Sequence, residues 1–167
     1  MQKRHNALGL AAVLIVLFGC SPVQHQELSD AEIQSLLADV VAGEQAVEEA
    51  GMRYFAELSS DSNNLIPAAA LYQRLNQNDS VYVLDIRRAE DYQGGHIPGA
   101  VHTWWFDVGA HIESLPVDMP IVVTCYTGQA AGQVIGVLRL MGYEALSLIG
   151  GMNNGWLAAD LPVQPGD

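Results

Sequence analysis

Between Ile121 and Gly142 the sequence spells a strand, a short loop and a helix in unbroken order. Ile121-Val122-Val123-Thr124 is an apolar run without a polar face, the pattern of a strand buried on both sides. Ala131, Val134, Ile135, Leu138 and Met141 then recur at helical spacing, and Gly142 stands where such a helix ends. A doubly buried strand needs helices over both faces of its sheet, so this unit restricts the chain to an α/β fold with a parallel sheet. The flanking sequence agrees. Pro67 opens a predicted helix to Asn76, Val81 to Ile86 reads as another buried strand, and Arg88 to Tyr92 as a short helix. Ala100 to Thr103 reads as a short strand, Ala145 to Ile149 as a further strand, and Asn153 to Ala159 as a closing helix.

Upstream of this domain the pattern is helical. Ser29 with Glu32 makes a capping box, and Ile33, Leu36, Leu37, Val40 and Val41 follow at helical spacing, which predicts one or two helices over 29–58. The polar stretch from Ser59 to Asn64 ends that extension, so the expected division is 1–19, 20–63 and 64–167. Met1 to His5 is short and basic, Ala7 to Phe18 is apolar but for Gly9, and polar sequence begins at Ser21, the layout of a secretory signal. A membrane-spanning helix needs about 20 apolar residues, more than this run supplies. Leu17-Phe18-Gly19-Cys20 resembles the lipobox of bacterial lipoproteins. That resemblance implies lipidation of Cys20, with the domain held in the periplasm by a membrane anchor, and Ser21 in place of Asp implies the outer membrane. A plain signal peptide followed by an incidental Cys is the alternative.

All nineteen acidic residues lie at or after Glu27, whereas beyond residue 19 the chain has five Arg and no Lys. Such a surface repels polyanions and excludes nucleic acid as a partner. Of the two cysteines, Cys20 is assigned to lipid, which leaves Cys125 with no partner for a disulfide. A lone Cys is either a small buried hydrophobe or a functional thiol. Cys125 opens the segment Cys125-Tyr126-Thr127-Gly128-Gln129-Ala130, just beyond a buried strand, where open parallel sheets bind their ligands. A loop curled around its first residue turns backbone N–H groups inward beside the positive end of the next helix. Such a nest stabilises an anion, and a thiolate held there is a nucleophile. Phosphatases, reductases and sulfurtransferases share this arrangement.

Leu84-Asp85-Ile86-Arg87, Glu90-Asp91-Tyr92, Gly95-His96-Ile97-Pro98-Gly99-Ala100, the Cys125 loop and Gly150-Gly151 followed by Trp156 resemble, in order and spacing, the rhodanese-like domain. The resemblance runs from about residue 66 to residue 163. It implies a three-layer fold with a parallel sheet of about five strands, and a reaction that uses no cofactor. In that reaction the Cys takes a sulfane sulfur from a small donor, holds it as a persulfide and passes it to a thiol or other nucleophilic acceptor. By matching position Cys125 is the sulfur carrier, and the backbone of Tyr126, Thr127, Gly128, Gln129 and Ala130 is the anion nest. Asp85 and Arg87 are expected to pair and shape the loop, and His96 to serve a turn as structural support. His102, Trp104 and Trp105 either line the mouth of the site or pack in the core. His96, His102, His111 and Cys125 do not make a metal-ligand spacing.

The active segment departs from the family pattern in one respect. Many such domains carry a basic residue in the loop, often Arg at the position of Ala130, and here the loop has no charge. Without an Arg clamp phosphoryl chemistry is disfavoured, and so is a dianionic donor such as thiosulfate. Three readings remain at this stage: a sulfur-transferring enzyme or carrier in the cell envelope, a catalytically inactive binding module anchored at the membrane, and a thiol redox sensor, which lacks a resolving Cys. No protein partner is named by the sequence.

Overall fold

In a computed structural model, which describes residues 28–59 and 63–166, the alternation of strand and helix becomes a parallel sheet of five strands. The chain divides into two compact units, Met1–Val40 and Val41–Asp167. After Leu28 and Ser29, the first unit's described residues belong to helix α1 (Asp30–Glu57). Ser29 caps α1 reciprocally: its N–H and hydroxyl both donate to Glu32 Oε2 at 2.8 Å, and the Glu32 N–H donates to Ser29 Oγ at 3.3 Å. The donated backbone bond, then the hydroxyl bond, lowers the Glu32 carboxyl below its ordinary value. One continuous helix therefore occupies the segment for which one or two were expected, and none of its residues is buried. The signal-like segment and Cys20 lie outside the described residues.

The second unit continues through β1 (Leu65–Ile66), α2 (Ala68–Asn76), β2 (Tyr82–Asp85), α3 (Ala89–Gly94) and β3 (Val101–His102). After these come β4 (Ile121–Thr124), α4 (Gln129–Leu140) and β5 (Ala145–Leu148). The strands lie in the order β1-β5-β4-β2-β3, every neighbouring pair parallel, with β4 in the middle. Three elements differ from the sequence reading. β1 falls next to the polar break, and two residues before a proline carry no periodicity that could announce a strand. The strand exists because its ladder is set from β5: Ser147 donates to Asn64 O and Ile149 to Ile66 O, each at 2.9 Å. Trp105–Ser114 forms a 3-10 segment that was not expected, and the closing helix is a π-helical turn, Gly151–Trp156, followed by a 3-10 turn, Leu157–Ala159.

Side chains alternate across each strand, so successive residues of β4 enter different cores. Ile121, Val123 and Cys125 pack with Leu84, Val134, Ile135 and Leu138 under α4, while Val122 packs with Leu71, Leu148, Met152 and Trp156 on the opposite face. This two-sided burial is what the uninterrupted apolar strands require. Trp156 is fully buried, meets Tyr72 edge to face at 6.0 Å, and donates its indole N–H to Pro162 O at 2.8 Å. Trp156→Ala removes this packing and leaves a cavity, an expected cost of about 3–5 kcal/mol. Urea unfolding should show the transition midpoint falling by that free energy divided by the slope, with the slope unchanged; a loss under about 1 kcal/mol would mean that the second core is not organised around this ring.

Candidate active site

The register of the central strands fixes where Cys125 emerges. Asp85 of β2 pairs with Thr124 of β4, and Ile86 donates to Thr124 O at 2.9 Å, so Cys125 begins its turn beside the carboxyl end of β2. The Cys125 side chain is only 4% exposed and belongs to the core beneath α4. Gly128 then adopts φ +94°, a left-handed conformation that non-glycine residues resist, and its N–H donates to Cys125 Sγ at 3.1 Å. α4 starts at Gln129, so the N–H groups of its first turn have no acceptor within the helix and its positive end stands beside the turn. Tyr126, Thr127 and Gly128 thus form the loop, whereas Gln129 and Ala130 belong to the helix. The Ala130 side chain packs, partly buried, against the core cluster to which Cys125 belongs.

A loop can present its N–H groups inward only if its carbonyls are accommodated elsewhere. Met152 donates to Cys125 O at 2.8 Å, and Asn153 donates to Tyr126 O at 2.9 Å. These donors come from the turn after β5, which approaches so closely that a Cβ on Gly151 would stand 2.5 Å from Cys125 O and 2.7 Å from Thr127 N. Gly151 is also left-handed, at φ +57°. The other flank of the loop is tied to α3. Tyr126 donates its hydroxyl to Asp91 Oδ2 and accepts the Arg88 N–H at 3.2 Å. Partial burial, then the bond to Asp91, raises the Tyr126 phenol above its ordinary 10.0.

Asp85 and Arg87 meet at the end of β2. The guanidinium donates Nη2 to Asp85 Oδ2 at 2.7 Å and Nε to Oδ1 at 3.0 Å, while the Arg87 backbone N–H also reaches Oδ1 at 3.0 Å. Arg87 Nη2 further donates to Gly95 O at 2.8 Å, which pins the turn ahead of His96. Both side chains are buried, so the Arg87 charge is spent inside the fold. His96 is buried and stacked on Tyr92 at 3.8 Å. Its Nδ1 lies 3.0 Å from Tyr92 O, which makes it the protonated nitrogen, and its backbone bonds Gln164 in both directions. No hydrogen bond of His96 reaches the Cys125 loop among the described residues. His102 accepts a different place: its Nε2 lies 2.8 Å from Arg87 O, in a cleft it shares with Trp104, while Trp105 packs on the core.

Sequence reading did not assign Asp91 or the Met152 and Asn153 N–H groups. Asp91 stood inside a quoted motif, but nothing in the sequence shows that a residue 35 positions away is its partner. The amides carry no side-chain signal at all. Among the described residues no group of three or more His, Cys, Asp or Glu side chains could hold a metal ion.

The arrangement can hold an anionic sulfur and the charge it acquires on reaction, by backbone dipoles alone. Comparison with known proteins places it in context. A family model for the rhodanese-like domain matches residues 67–159. The chain is 31% identical over 87 residues to a putative sulfurtransferase, YtwF, of Bacillus subtilis, covering 52% of this chain and 84% of that protein. It is 32% identical over 89 residues to the thiosulfate sulfurtransferase GlpE of Actinobacillus succinogenes, covering 53% and 79% respectively. The fold resembles the crystal structure of a rhodanese-related protein from Thermoplasma volcanium, with a TM-score of 0.56 at 23% identity, covering 60% of this chain and 96% of that one.

Two outcomes follow from the geometry. Gly151→Ala should loosen or displace the loop, through left-handed strain of about 1–2 kcal/mol and the blocked approach to Cys125 O, and is read by faster alkylation of the Cys125 thiol with iodoacetamide. Alkylation at the unmodified rate would show that the loop holds its shape without this contact. Raising a phenol's pKa favours its protonated form in the fold, so the contribution of Tyr126 is complete below pH 10 and is lost as pH rises past its folded value. Asp91→Asn, by removing the carboxylate, should bring one phenol back toward 10.0 in an ultraviolet titration.

Proposed function

The chain belongs to the rhodanese-like domain family, and from that premise we propose that it transfers sulfane sulfur through a persulfide on Cys125, from a lipid anchor at Cys20 in the cell envelope. The observation that carries the chemistry is the Gly128 N–H held 3.1 Å from Cys125 Sγ, at the end of a central strand and the start of a helix. The Cys125 thiolate attacks the outer sulfur of a persulfide R–S–SH. A bond forms from Sγ to that sulfur, the donor S–S bond breaks, and R–S⁻ leaves. An acceptor thiolate then attacks the outer sulfur of Cys125–S–SH and restores the Cys125 thiolate. Oxidation states balance across the pair of steps, and no cofactor is consumed. The names of the similar proteins, one a putative and one a thiosulfate sulfurtransferase, support this class of reaction.

The donor follows from charge. Thiosulfate brings two negative charges to an acidic domain, the loop has no cationic side chain, Arg87 is already paired with Asp85, and Arg88 holds its guanidinium outside the loop against Trp104. Persulfides and polysulfides, with less charge at the transferred sulfur, suit such a site better. A charge-assisted hydrogen bond contributes about 1.5–3 kcal/mol against about 1 for a neutral one, so thiosulfate should turn over at least about tenfold less efficiently than a persulfide at physiological salt. The location rests on the lipobox-like Leu17 to Cys20.

Intact mass after incubation with polysulfide should show one added sulfur on the unmodified chain and none on Cys125→Ser, whose fold is kept. An unmodified Cys125 in the first sample would leave an inactive binding module as the reading. Cys20→Ala should move the protein out of the membrane fraction, and unchanged fractionation would refute anchoring through Cys20.

A further inference from the structure

On the β2–β3 side of Cys125, where β3 is the edge of the sheet, lies a cleft of about 730 Å3. It runs from Tyr82, at the start of β2, to Arg88, Thr103 and Trp104 beyond the carboxyl ends of β2 and β3. Its size falls within the range that takes drug-sized ligands, and most of the side chains that line it are polar or charged, with Tyr82 and Trp104 as its aromatic surfaces. The end near Arg88 borders the Cys125 loop, because the Arg88 N–H is the donor to the Tyr126 hydroxyl at 3.2 Å. The adjacent strands bring the same two regions together: Thr103 donates to Asp85 O and Ile86 to Thr124 O.

The charges of the cleft are mixed. Arg88 is its one cationic side chain apart from histidines, with the guanidinium 5.8 Å from the centre of the Trp104 ring, and Glu90 and Asp107 line the same cleft. Arg87, its neighbour in sequence, is buried, turns its Nε and Nη2 inward to Asp85 and Gly95, and does not line the cleft. Two carboxylates in one cleft oppose a polyanion, and a lone guanidinium opposes a simple cation. A ligand with a carboxylate for Arg88 and an ammonium for Glu90 and Asp107 satisfies both signs. Arg suits the first role because its fork binds a carboxylate in two places.

We infer that this cleft binds an amino-acid or short-peptide thiol, the body of the persulfide donor or the thiol acceptor, with its sulfur directed over Tyr126 toward Cys125. The inference rests on the sulfur-transfer reading for its chemistry, though the recognition itself rests on the cleft. In the transfer step the bound persulfide gives its outer sulfur to the Cys125 thiolate and remains in the cleft as the free thiolate. In the return step the same cleft orients the acceptor thiol. Trp104 is a stacking surface for the peptide planes, and Arg88 and Asp107 set specificity by charge.

The test uses the full chain and S-methylglutathione, a thioether that occupies the cleft without reacting. Calorimetry should show saturable binding. Dimethyl esterification of the ligand, and separately Arg88→Ala, should each weaken binding by about tenfold or more, with Arg88→Lys between that variant and the unmodified chain. Asp107→Asn should weaken binding of the same ligand and have little effect on its N-acetyl derivative. No saturable binding, or equal affinity for the ester and the parent compound, overturns the inference, and the ester comparison holds even if a variant fails to fold. Mass measurement of Cys125 after polysulfide treatment separates the two readings. A thiol that gains no sulfur while S-methylglutathione binds overturns sulfur transfer and upholds the cleft; a thiol that gains sulfur in a chain that binds no S-methylglutathione does the reverse.

Discussion

The carbonyl groups of Cys125 and Tyr126 have to be turned away from the sulfur before any N–H can be turned toward it, and they are held by the amides of Met152 and Asn153. Each such bond contributes about 1 kcal/mol net, a modest sum, yet without them two buried carbonyls would face the anion they are meant to leave room for. The approach that makes the bonds is available only because Gly151 has no side chain, since its Cβ would overlap the Cys125 carbonyl. The position of β5 beside β4 sets that approach, so the loop's chemistry depends on sheet order as directly as on its own residues.

The other flank is governed by charge. Asp85 and Arg87 are both buried, and isolating either would cost several kcal/mol, so the bidentate pair and the third bond to Gly95 O have to be complete. That completeness fixes the path from β2 through α3 to the His96 turn, and it withdraws a cation from a domain that has few. Arg88, one residue later, keeps its guanidinium outside against Trp104 while its backbone N–H steadies Tyr126. Consecutive residues of one short segment therefore do opposite things, one neutralised in the core and one left to act at the surface.

Much of the architecture was legible from periodicity. The apolar strand at Ile121–Thr124, the spaced apolar residues of α4 and the mainly apolar run of β2 each report burial within a window of a few residues. β1 was not legible because a two-residue strand has no period, and its pairing comes from β5, far along the chain. The closing segment, expected as a helix over Asn153 to Ala159, is a π-helical turn followed by a 3-10 turn, and the free first-turn N–H groups of Met152 and Asn153 are taken up by the Cys125 loop. A local pattern cannot foresee that demand.

The sequence by itself determined a parallel α/β sheet, a Cys at the carboxyl end of a buried strand, and a loop without charge, because burial and backbone propensity act between near neighbours. Only the tertiary structure decided which groups surround that Cys. The Tyr126–Asp91 link spans 35 residues and the Met152–Cys125 bond joins the ends of neighbouring strands. The separate fates of Arg87 and Arg88 likewise depend on where Gly95 and Trp104 arrive. Hydrogen bonds and the close ion pairs built on them form only within about 3 Å, so their partners are chosen by the packing of the sheet and not by distance along the chain.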